Sequence, residues 1–303
     1  LYSIPYYKKY NINFHILDSS NDESNINDIY NILNLKKNEN YFYYSNNEHF
    51  PIYGMFCYHL KNIVKSKYIA WVADDDLMTY EGLKMGVDFL EQSKEYVFTS
   101  GLQVFTNSYK YGECCYCKND NDNNDDVISR LNNNFKNIMT GHGIILTDIW
   151  FNINNLIETS YKLKNNSSLT PIRFHDKIIQ FIILLHGKKN MQLPIVSLIR
   201  THKFERMINS NNYPFPCELE RNVDYNLITE RLKIHNPIAI YFCKLHPSLT
   251  LEKCNEITLE VLGKKYPIDK PNNTYKNNIN EIISKSKPIF EEYYNFYKYP
   301  IIF

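Results

Sequence analysis

The chain has 303 residues, and its 44% hydrophobic and 22% charged residues indicate a globular protein, not a disordered or fibrous one. The net charge is +1, so no overall electrostatic field favours nucleic acid or an anionic membrane as a partner. No apolar run approaches the roughly 20 residues of a membrane span, and no secretory signal is recognisable at the start.

The first predicted strand covers residues 13–17 and is followed by Asp18, Ser19 and Ser20. An acid and two hydroxyls at the end of a strand can hydrogen-bond a ribose or the edge of a base. The structural alternative is an ordinary turn in which these side chains bond to the local backbone.

A second short strand is predicted at 41–45, and apolar residues at helical spacing predict a helix over 48–65. Residues 68–73 then form an apolar run that is too short for a helix and is typical of a buried strand. Asp74, Asp75 and Asp76 follow directly. Consecutive carboxylates repel one another, and their placement after a strand favours a role in binding a cation or a polar ligand. The alternative is a solvated acidic turn that caps the next helix.

The next elements alternate between helix and strand, which predicts an α/β sandwich with a mostly parallel central sheet. They are a helix marked by Leu83, Val87 and Leu90, a strand or hairpin over 95–105, a polar loop at 119–126, a buried strand at 144–146 preceded by Gly141-His142-Gly143, a helix from 174 to 186, and a strand at 193–199. The glycines at 141 and 143 are expected to let the backbone approach another element closely.

Asp176 is predicted to lie in the first turn of the helix that ends at His186. A carboxylate is stabilised there by the helix N-terminus, so capping is the structural alternative to a chemical role. The strand at 193–199 leads into a charged segment, 200–206, which includes His202.

An Asn- and Pro-rich break at 209–216 predicts a domain boundary, with a first domain at 1–210 and a helical C-terminal region at 211–303. Three helices are predicted in the second region, over 218–234, 249–262 and 273–297. No cluster of catalytic residue types lies on them, so we expect them to stabilise the fold, form homo-oligomers or bind an acceptor.

The seven cysteines are odd in number, and the one cluster among them lacks a second pair that would complete a zinc site. Reduced thiols and a cytoplasmic location are therefore expected.

The order of these elements resembles the glycosyltransferase family 2-like enzymes of the GT-A fold. The resemblance covers roughly residues 10–206. It is carried by Ile16-Leu17-Asp18-Ser19-Ser20, by the segment from Lys67 to Asp76, by Gly82 with Val87-Asp88-Phe89-Leu90, by Gly101, by the segment from His175 to Gly187, and by Arg200-Thr201-His202. The first strand of the family pattern would precede the start of this chain.

The resemblance implies a nucleotide-sugar donor, with UDP as the expected nucleotide, and a divalent cation, Mn²⁺ or Mg²⁺. By the family pattern Asp76 ligates the metal and Asp74 contacts the ribose or bridges through water, with Asp75 beside them. Asp18 would then lie near the uracil or ribose, next to Ser19.

The resemblance also implies that Asp176 is the base of an inverting enzyme, although His175 stands where these enzymes usually have Glu. His202 would reach the metal or the diphosphate. The acceptor is expected to be a glycan, a protein or a small molecule. Two alternatives remain open on the residues alone: a metal-dependent nucleotidyl- or phosphotransferase, and a non-catalytic module that binds a nucleotide-sugar or a protein.

Overall fold

The structure is a computed structural model with elements of both helix and strand. The residues that it describes are 7, 10, 12–18, 41–45, 60–61, 63–72, 76–107, 110–116, 124–134, 142–162, 172–202, 235–263, 285 and 288. No helix among these residues has the length and apolar character that crossing a membrane requires.

The described strands form two β-sheets. The smaller sheet pairs β1 (Phe14–Asp18) in parallel with β2 (Tyr41–Ser45). The larger sheet has six strands in the order β3-β7-β5-β8-β4, and β6 pairs with β5 outside this path. Its strands are β3 (Tyr68–Ala70), β4 (Asp76–Met78), β5 (Tyr96–Asn107), β6 (Lys110–Tyr116), β7 (Ile144–Leu146) and β8 (Lys188–His202).

The larger sheet is mixed, which corrects the prediction of a mostly parallel sheet. β5 and β8 run parallel, whereas β3 with β7, β7 with β5, β5 with β6 and β8 with β4 are antiparallel. The prediction treated each helix between strands as a crossover that joins parallel neighbours. Here a helix joins β4 to β5, but these strands lie on opposite sides of β8 and do not pair with each other.

The described part of the chain contains six helices. They are α1 (Tyr80–Gln92), α2 (Val127–Asn134), α3 (Thr147–Lys162), α4 (Ile172–His186), α5 (His235–Leu245) and α6 (Leu251–Gly263). Thr79 is the N-cap of α1, because its hydroxyl accepts a hydrogen bond from the backbone N–H of Gly82.

One hydrophobic core joins α3, α4, α5 and α6 to the sheet. Ile153, Phe181, Phe242 and Val261, one from each of these helices, are fully buried within it. The rings of Phe181 and Phe242 meet edge to face, with centroids 6.1 Å apart. Burial of each such side chain stabilises the fold by about 1.5–3 kcal/mol. The two described C-terminal helices thus pack on the same core as α4, and the division of the chain at residue 210 stays a prediction.

Most predicted elements that lie in the described residues are confirmed. They are β1, β2, β3 (shorter than predicted), β5, β7, β8, α1, α4 and α6. Helices α2, α3 and α5 and strands β4 and β6 were not predicted. The predicted helices over 48–65, 218–234 and 273–297 and most of the polar run 119–126 lie outside the described residues.

Candidate functional site

Asp76 is the first residue of β4, so it begins a strand instead of following the end of one as predicted. The pairing of β4 with β8 places Asp76 opposite Arg200 in the register. Only 3% of the Asp76 side chain is exposed. The alternative of a solvated acidic turn that caps the next helix is therefore wrong for Asp76, since Thr79 is the N-cap of α1.

The imidazole of His142 lies beside the Asp76 carboxylate. The distance between His142 Nε2 and Asp76 Oδ2 is 3.9 Å, and 15% of the His142 side chain is exposed. This distance is too long for a direct hydrogen bond, but a protonated imidazole at this position would form an ion pair with the carboxylate. In the sequence, His142 is marked only by the glycines on either side of it, and no local pattern connects it to Asp76, which is distant in the chain.

The backbone of His142 is fixed to β5 by hydrogen bonds. The hydroxyl of Ser100 donates to the carbonyl oxygen of His142 at 3.1 Å, and Nε2 of Gln103 lies 3.5 Å from the same oxygen. Ser100 also contacts the hydroxyl of Ser197 on β8 at 3.1 Å, and that hydroxyl accepts a bond from the N–H of Gly101 at 2.9 Å. These buried polar groups join β5, β8 and the segment before β7 into one network.

Gly143 allows this segment to approach β5 closely. A Cβ at residue 143 would lie 2.2 Å from Cζ of Phe98 and 2.7 Å from the carbonyl oxygen of Thr99. Any other residue would force one of these groups to move, which confirms for Gly143 the prediction of a close backbone approach. Gly141 lies outside the described residues.

Hydrogen bonds also hold β4 on both of its edges. Towards β8, the N–H of Thr79 donates to the carbonyl of Ser197 at 3.0 Å, and its hydroxyl donates to the carbonyl of Val196 at 2.6 Å. On the other edge, the buried hydroxyl of Tyr7 donates to the carbonyl of Met78 and accepts from its N–H, both at 2.9 Å. The strand that carries Asp76 is therefore fixed in position.

Two of the other predicted site residues, Asp18 and His202, lie in different sheets of the described chain. His202 is the last residue of β8 and lies two residues beyond Arg200, the register partner of Asp76. At about 3.3 Å per residue, the backbone of residue 202 is therefore within about 8 Å of Asp76. Asp18 ends β1 in the smaller sheet and is paired with Ser45. Ser19, Asp74 and Asp75 lie outside the described residues.

Asp176 belongs to α4, but its predicted place in the first turn is wrong. The helix begins at Ile172, so Asp176 is its fifth residue, and the first turn contains no acid. The charge effect of a helix N-terminus falls off within the first turn, which removes capping as the explanation for Asp176. Pro171 directly precedes the helix, and a proline there is a start signal that the prediction overlooked.

Asp76 and His142 are residue types that can ligate a metal ion, one through an oxygen and the other through a nitrogen. Within the ranges that the structure describes, no group of three or more His, Cys, Asp or Glu side chains could hold a metal ion. A cation at the pair would therefore need further ligands, from a substrate, from water or from residues outside those ranges.

No protein-family model matches the chain, and no curated protein matches it significantly.

Proposed function

We propose that the protein is a metal-dependent, inverting glycosyltransferase with a GT-A fold. It transfers a sugar from a UDP-sugar to a hydroxyl of a glycan, protein or small-molecule acceptor. The observation that carries the proposal is the burial of the Asp76 carboxylate on a fixed strand, directly after two further acids in the sequence. A divalent cation is a favourable partner for a carboxylate that is held away from water.

The chemistry of the Asp76 side chain fits Mn²⁺ or Mg²⁺. Both are hard cations that prefer oxygen ligands, and Mg²⁺ is usually held by one or two carboxylates together with substrate phosphates. A small set of protein ligands is therefore sufficient for such an ion. When bound, the cation supplies positive charge that stabilises the departing nucleoside diphosphate.

Under this proposal the remaining work belongs to side chains from other parts of the fold. Asp176 accepts the proton of the acceptor hydroxyl while the oxygen of that hydroxyl forms a bond to the anomeric carbon of the donor. The bond from that carbon to the diphosphate oxygen breaks, and the electron pair leaves with the UDP. Asp18 and Ser19 bind the uridine, Asp74 contacts the ribose, and His202 contacts the metal or the diphosphate.

The test measures nucleotide release from a panel of UDP- and GDP-sugars with and without Mn²⁺. We expect Mn²⁺-dependent release of UDP, and the conservative variant Asp76→Asn should reduce it by more than about a hundredfold, because several kcal/mol of charge stabilisation are lost. The matched control is Asp88→Asn, which changes an exposed acid on α1 and should retain full activity.

Three results would contradict the proposal. Equal turnover by Asp76→Asn and the parent would remove the metal role of Asp76. Release of pyrophosphate in place of UDP would indicate a nucleotidyltransferase. Tight donor binding without any turnover would indicate a non-catalytic binding module.

A further inference from the structure

We propose that His142 is a second protein residue, besides Asp76, that would hold the divalent cation. This inference rests on the proposed function only for the identity of the cation, since the pairing of the two side chains is a feature of the fold. The family resemblance assigns no role to His142.

The distance between the two side chains suits one shared ion. Two atoms that each bind one ion at about 2.1 Å lie at most about 4.2 Å apart, and about 3.0 Å apart at adjacent octahedral positions. The 3.9 Å between His142 Nε2 and Asp76 Oδ2 lies between these two values. Both atoms can therefore bind one ion at this separation.

The low exposure of both side chains favours cation binding. Asp76 is 3% exposed and His142 is 15% exposed, so both side chains are largely shielded from water. Charges at such a position are screened less than at the surface, which favours the binding of a cation between the two groups.

The backbone network holds His142 in place for this role. Its carbonyl oxygen accepts the bond from Ser100, and Gly143 lets the segment lie against Phe98. Asp76 is fixed independently by β8, which pairs in parallel with the same β5. Both ligands are thus positioned before the ion binds, which reduces the ordering that binding would otherwise require.

The arrangement also predicts coupling between the metal and the nucleotide. With two protein ligands the ion keeps several open positions, which diphosphate oxygens can occupy. UDP should therefore raise the affinity for Mn²⁺, and by linkage Mn²⁺ should raise the affinity for UDP by the same factor.

The experiment titrates the full chain with Mn²⁺, alone and with UDP, and follows binding by electron paramagnetic resonance. Pulsed measurements on the bound Mn²⁺ then detect any coordinated imidazole nitrogen. We expect nitrogen coupling in the parent and its loss in His142→Gln. The affinity of that variant for Mn²⁺ should also fall, by roughly tenfold to hundredfold or more. Removal of a residue that only supports a metal ligand already costs that much, and His142 would be a ligand itself.

Two further histidine variants assign the signal. His202→Gln tests the other histidine expected near the metal, and nitrogen coupling that persists in it supports His142. His246→Gln is the matched control, because His246 Nε2 contacts the carbonyl of Leu185 between α4 and α5, away from β4. That control should bind Mn²⁺ as the parent does.

The inference fails if the parent shows no nitrogen coupling, and this result does not depend on whether any variant folds. It also fails if the coupling disappears in His202→Gln but persists in His142→Gln, or if no Mn²⁺ binds with or without UDP. Failure of the enzymatic proposal is distinguishable: Mn²⁺ bound by Asp76 and His142 without sugar transfer supports the metal site and rejects the transferase. Sugar transfer together with unchanged Mn²⁺ binding in His142→Gln would support the transferase and reject His142 as a metal ligand.

Discussion

Lowering the pH from 7 to 5 should destabilise the protein because His186 is neutral in the folded state. His186 ends α4 and lies partly buried against α5, where its Nε2 contacts the hydroxyl of Tyr241 at 2.7 Å. Burial lowers the pKa of His186 from 6.5 to about 4, and the nearby His246 acts in the same direction. The unfolded chain takes up a proton near pH 6.5, whereas the folded chain resists protonation until about pH 4.

The size of the effect follows from this difference in pKa. For a group whose pKa is lowered in the folded state, protons bind preferentially to the unfolded chain as the pH falls below the unfolded value. Each unit of pKa difference corresponds to 1.36 kcal/mol. Between pH 7 and pH 5, His186 alone should therefore lower the free energy of unfolding by about 2 kcal/mol.

The assay is urea unfolding of the parent, His186→Gln and Tyr241→Phe at pH 7 and pH 5. His186→Gln removes the titrating group. Between pH 7 and pH 5 the free energy of unfolding of this variant should therefore fall by about 2 kcal/mol less than that of the parent. Tyr241→Phe is the control: it removes the hydroxyl but keeps the ring that buries the imidazole, so the pH dependence should remain. The same pH dependence in His186→Gln and the parent would refute the reasoning.

Three further predictions concern the framework and the proposed base. Tyr7→Phe should lower the free energy of unfolding by about 2 kcal/mol, because the buried N–H and carbonyl of Met78 lose the hydroxyl; a cost below about 0.5 kcal/mol in urea unfolding would argue against it. Gly143→Ala should cost about 1–3 kcal/mol, since its Cβ would overlap the ring of Phe98, and unchanged stability would show that the ring moves freely. Asp176→Asn should reduce sugar transfer roughly a hundredfold with donor affinity and melting temperature unchanged, and full transfer activity would exclude Asp176 as the base.

The local pattern of apolar residues was sufficient to predict the elements whose signals are continuous along the chain. β2 was predicted with its observed bounds, α1 from apolar residues at helical spacing, and α4 from a strongly apolar run ended by Gly187. Helices α2, α3 and α5 were not predicted, and α5 contains Pro237, a residue type that usually breaks helices. Pro237 is the third residue of α5, where a backbone N–H would have no partner within the helix, so the proline is tolerated.

The sequence by itself determined most of the helices and strands and the position of three acids directly after the apolar run at 68–73, because both are properties of neighbouring residues. The tertiary structure decided the directions of the strands, since a strand can pair either way until its partners are in place. It also decided that Asp76 is buried beside His142, because β8 and β5 must assemble before the two segments meet. The candidate site thus depends on long-range pairing, which no local pattern of residues encodes.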